Sequence, residues 1–129
     1  MAKGRQLALQ AVHYLRKTIR YSDGASAVVT IGTLPAGAVV VAGAITVTTV
    51  FNSGTNNNVD IGTAGAPDGL ATAVAMTSAG RKVFDELATS DDLVMAAETD
   101  IIATLGLTGT AASAGVAIVE VQFIVNNDL

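Results

Sequence analysis

Short β-branched runs, cut by turn residues at spacings of about 8–12 positions, succeed one another from residue 26 to the end of this chain. SAVVTIG (26–32) reads as a strand, and LPAG (34–37) reads as a turn. In that turn Pro presets φ at one corner and Gly takes a left-handed conformation at another. A long strand follows over residues 39–51, with Ile45, Val47 and Phe51 on one side and Thr46 and Thr48 on the other. Gly43 marks the expected bulge or bend where that strand changes sheet. NSGTNNN (52–58) is a polar loop. VDIG (59–62) is a short strand with Val59 and Ile61 inward and Asp60 outward. AGAPDG (64–69) is a turn, and residues 70–77 are expected to form a short helical turn or loop. Strands are expected at 80–87, 93–97 and 100–107, the last two separated by Glu98 and Asp100. TGTAASAG (108–115) is a loop. VAIVEVQFIV (116–125) alternates most clearly, with Val119, Val121, Phe123 and Val125 on one face and Glu120 and Gln122 opposite. Ile118 and Ile124 share that second face, so it is expected to be partly covered.

Seven or eight such segments without a long helix predict an all-β fold, an antiparallel β-sandwich or jelly roll. The 129 residues suit one domain, large enough to bury a core without cross-links. None could form, because the chain has no cysteine. Only 14% of residues are charged, against about a quarter in a typical soluble domain. That composition fits a protein much of whose surface is covered by partners.

Charge is unevenly placed. Residues 1–22 hold Lys3, Arg5, Arg16, Lys17 and Arg20 and no acid, while the rest of the chain sets Arg81 and Lys82 against all 11 acids. The chain therefore reads as a basic, extended N-terminal arm with a first strand (1–22) and an acidic β-sandwich domain (23–129). Residues 13–22 alternate as a strand, ended by the turn pair Asp23-Gly24. No segment reads as a signal peptide or membrane span; Pro35, Gly37, Gly43 and threonines interrupt the apolar stretch 34–51.

Chemistry is sparse. His13 is the one histidine, it lies in the basic segment, and no G-x-S-x-G is present. Asp85/Glu86, Asp91/Asp92 and Glu98/Asp100 could in principle flank a glycosidic bond, but no Trp supplies a sugar platform. They read instead as solvating charges that keep strand edges apart. Asp60, Asp68, Asp91, Asp92 and Asp100 lie in or near loops, yet none stands in a D-x-[DN]-x-[DN]-G calcium loop. No glycine cluster has phosphate-loop spacing. The expectation is a protein that is not an enzyme and has no metal or cofactor. The five basic residues could meet nucleic-acid phosphates. The acidic body and the apolar Leu7, Leu9, Val12, Leu15 and Ile19 favour packing on a protein neighbour instead. The interaction candidates are thus Lys3, Arg5, Leu7, Leu9, Val12, Tyr14, Arg16, Lys17 and Arg20.

Three runs carry a resemblance. RYSDGASAVVTIGTLPAGAVVVAGAITVTTVFNSGT, then VDIGTAGAPDG, then TDIIATLGLTGTAASAGVAIVEVQFIV together resemble small tailed-phage virion β-sandwich proteins over roughly residues 20–126. The resemblance implies a virion structural protein located in the phage particle, with the capsid surface favoured. Its implied role is a capsid decoration (cement) protein that stabilises the head shell. The implied partners are further copies of itself, with a trimer favoured, and the major capsid protein or another virion protein. A head-fibre, neck or tail component is the alternative within that group, and a carbohydrate-binding host-attachment module is the alternative outside it. Residues 1–22 would be the anchoring arm, joining neighbours by strand addition.

Overall fold

The computed structural model describes residues 11–125. Eight strands form two four-stranded antiparallel sheets. They are β1 (His13–Arg20), β2 (Val28–Leu34), β3 (Val39–Thr49), β4 (Asn56–Gly62), β5 (Ala71–Ala75), β6 (Gly80–Val83), β7 (Thr99–Thr108) and β8 (Val116–Ile124). One sheet has the order β1-β8-β3-β6 and the other β2-β7-β4-β5. The pairings are nested: β1 with β8, β2 with β7, β3 with β6, and β4 with β5. This is one long hairpin folded over on itself, the jelly-roll form of the sandwich.

Period-two alternation places the core between the sheets. Ile19, Leu34, Ile45, Val47, Val59, Ile61, Ile101, Leu105, Val119 and Val121 are fully buried there. Each contributes on the order of 1.5–3 kcal/mol by leaving water, which is how a chain with five aromatic residues sustains a sandwich. Ser53 and Asn57 are the buried polar residues of the described chain, and they satisfy each other. Asn57 Oδ1 accepts from the Ser53 N–H (2.8 Å) and hydroxyl (2.7 Å), and Asn57 Nδ2 donates to the Ser53 carbonyl (3.1 Å).

The LPAG turn forms as expected, closed by Ala38 N–H donating to the Pro35 carbonyl (3.1 Å), with Gly37 at φ 81°. Gly43 serves a different purpose from the expected bulge. β3 remains in one sheet, its irregularities fall beside Val41 and Thr48, and Gly43 sits in register opposite Val121. Its missing side chain leaves room for the Phe84 ring, which occupies the space a Cβ would need. Residues 71–75 form strand β5 where a helical turn or loop was expected. A bulge explains the misleading pattern: Thr72 and Ala73 together face Asp60, and Ala73 has φ 45°. β6 stops at Val83, short of residue 87, because Phe84 turns inward over Gly43. Residues 93–97 make a single bridge, Val39 with Val94, beside β3 instead of a strand.

Candidate assembly surface

β1 is the edge strand of its sheet, so one side of its backbone has no ladder partner among the described residues. Alternation puts Ile19 wholly in the core and Leu15 partly so, against Gly32 of β2. Tyr14, Arg16, Thr18 and Arg20 point to the outer face, opposite Gln122, Glu120, Ile118 and Val116 of β8. Lys17 lies opposite the buried Val119 but remains exposed, because the strand is at the margin of the sandwich. Val12 and Tyr14 are 58% and 69% exposed and, with His13, Glu120 and Gln122, line a shallow hollow at the start of β1. The His13 ring stacks on Phe123, with centroids 5.6 Å apart. Of the expected interaction residues, the structure thus brings Val12, Tyr14, Arg16, Lys17 and Arg20 to one edge. Lys3, Arg5, Leu7 and Leu9 lie outside the described residues.

The outer face of the β1-β8-β3-β6 sheet continues this surface, and only its β8 part was visible in the sequence. Arg81 of β6 reaches across β3 to Glu120 of β8, with Nη1 2.7 Å from Oε1. Beneath this pair Ala44 of β3, flanked by Glu120 and Val83, has no exposed area. Ile118 and Gln122 are half-buried and Ile124 exposed, as the mixed character of their face foreshadowed.

Three of the acids that could have flanked a bond or held a cation, Asp60, Asp85 and Asp100, have structural bonds instead. Asp60 Oδ1 accepts from the Ala73 N–H (2.6 Å) and Asp85 Oδ1 from the Thr72 N–H (3.0 Å), so two carboxylates hold the β5 bulge. Asp100 accepts from the Thr33 hydroxyl (2.6 Å), and Asp23 from the Arg20 N–H (2.8 Å). Among the described residues no group of three or more His, Asp or Glu side chains is placed to hold a metal ion. Nor is any helix there long and apolar enough to cross a membrane.

No family model matches the chain, and no curated protein sequence matches it. Solved structures do. The chain is similar to one in the capsid asymmetric unit of cyanophage Pam1, with TM-score 0.67 and 16% identity over 94% of this chain and 95% of that one. It is also similar to a chain in the acid-stable capsid structure of Helicobacter pylori bacteriophage KHP30, with TM-score 0.60 and 13% identity over 89% and 88%. At such identities the likeness establishes a shared fold, and it spans nearly the full length of all three chains.

Proposed function

We propose that this chain is a structural protein of a phage particle and that it decorates and stabilises the capsid shell. The observation that carries the reading is the end-to-end fold match to chains found in two phage capsid structures. Two features support it. The chain is poor in charge, and its β1 edge carries exposed Val12 and Tyr14 beside three cations. Decoration requires broad complementary surfaces, on the order of 1,600 Å² in a stable contact. A jelly roll supplies these through its sheet faces and margins.

In this reading the protein self-associates, and residues 1–22 anchor copies to one another or to the major capsid protein. Co-sedimentation of purified protein with empty shells tests the role, with copy number read by quantitative mass spectrometry. Occupancy that follows the shell lattice supports decoration. A few copies per particle favour a head-fibre, neck or tail position, and no shell binding refutes the role. The arm is tested by deleting residues 1–11, which leaves β1 intact; a deletion through residue 20 would remove Ile19 from the core and confound binding with folding. Unchanged shell binding by the shorter deletion would refute the arm's part.

A further inference from the structure

The β1 edge and the β5/β6 side of the sandwich carry opposite charge. β1 and β2 lie together on one side, joined by the 3-10 turn Tyr21–Asp23 and by the Leu15–Gly32 contact. β5 and β6 lie together on the other, tied by the Asp85–Thr72 bond and by Glu86 N–H donating to the Leu70 carbonyl (3.3 Å). On the β1/β2 side Arg16, Lys17 and Arg20 are exposed along β1, with Asp23 at the corner and the acids Glu98 and Asp100 beside the end of β2. On the β5/β6 side the turn at Asp68 abuts Asp92, whose Oδ2 lies 3.0 Å from where a Cβ on Gly69 would stand. Asp85, Glu86 and Asp91 extend the same side. Its cations are fewer than its acids: Arg81 is paired with Glu120, and Lys82, whose Nζ donates to the neutral Ser78 carbonyl, keeps its charge against Asp68, Asp85, Glu86, Asp91 and Asp92. Each side also exposes apolar groups, Tyr14 and Val28 on one and Val83 on the other.

We infer that copies of this chain associate head to tail, the basic β1 edge of one docking on the acidic β5/β6 side of the next. The inference rests on the self-association in the proposed function and specifies its contact. A contact between unlike sides is heterologous, and repeated with a closing rotation it generates a ring. Two copies meeting through the same side would set like charges face to face, which complementary interfaces avoid. The outer backbone edge of β1, which has no ladder partner among the described residues, adds hydrogen-bonding groups that a neighbour can satisfy.

Two charge-reversed variants test this: Arg16→Glu with Lys17→Glu, and Asp68→Lys with Asp91→Lys. All four side chains are exposed, so melting temperature should be retained. Sedimentation velocity should show each variant associating about 10- to 100-fold more weakly than the parent, and an equimolar mixture of the two recovering association. Parent association should also weaken between 0.05 and about 0.5 M salt as screening tightens. A monomeric parent, an acidic-side variant that associates like the parent, or a mixture without recovery would overturn the head-to-tail contact. Shell co-sedimentation is read separately. Shell binding by a monomeric parent sinks the contact and leaves decoration standing, whereas an oligomer that ignores shells does the reverse.

Discussion

Replacing Gly43 by alanine tests one of the closest approaches to a glycine among the described residues. Gly43 lies mid-strand in β3 with the Phe84 ring in the volume a Cβ would take. Its φ is not in the left-handed region, so alanine meets no backbone penalty, and a smaller unfolded ensemble would by itself stabilise by about 0.4–1 kcal/mol. Against this stands overpacking, typically about 1–3 kcal/mol. Phe84 cannot retreat easily: it is buried, and its N–H donates to the Gly43 carbonyl at 3.0 Å. The steric term should win, leaving a net loss of about 1–2 kcal/mol. Phe84→Ala alone opens a cavity and should cost about 3–5 kcal/mol. In the double variant the new methyl enters the vacated space, so the two losses should fall short of additivity by about 1–3 kcal/mol. Urea unfolding of the parent, both single variants and the double, at one protein concentration, measures this coupling. A neutral Gly43→Ala, or losses that add within about 0.5 kcal/mol, would refute the account of Gly43 as a seat for Phe84.

Other sites give sharper or smaller effects. Asn57→Ala leaves the buried Ser53 N–H without its acceptor, while the Ser53 hydroxyl keeps the Asn56 carbonyl, and should cost about 1–3 kcal/mol in urea unfolding, whereas Asn58, half-buried on the next position, should matter less. Arg81→Ala should cost no more than about 1 kcal/mol at low salt, because the Glu120 pair is partly exposed, and the difference should vanish near 1 M salt. Ala73→Gly should leave the melting temperature unchanged or raise it by a few degrees, since φ 45° suits glycine. Ala73→Val should lower it, because a β-branched residue resists that region.

What the sequence displays well is whatever obeys a local period. β8 and the Val59/Ile61 pair of β4 alternate cleanly because each buries one face, and Pro35 and Gly37 mark the β2–β3 corner chemically. β5 was hidden because its bulge sets the buried residues at 70, 71 and 74, a spacing that mimics a helix. The role of Gly43 was hidden because it depends on Phe84, 41 positions later. The same distinction holds at the surface. The cations of β1 announce themselves by clustering, and the second face of β8 by its isoleucines. The Arg81–Glu120 bridge over Ala44 depends on the register of three strands, which no single segment encodes.

The nested order of strand pairing also governs timing. His13 pairs with Phe123, across almost the entire described chain, whereas β4 and β5 are neighbours in sequence. Loop-closure entropy favours the inner ladder first and leaves β1·β8 until the final strand has been synthesised. The margin of the sandwich that bears Arg16, Lys17 and Arg20 is therefore completed last. A copy still being made, or one misfolded at its C-terminal strand, has no finished edge to offer, so any contact made through that edge admits only subunits that have already folded.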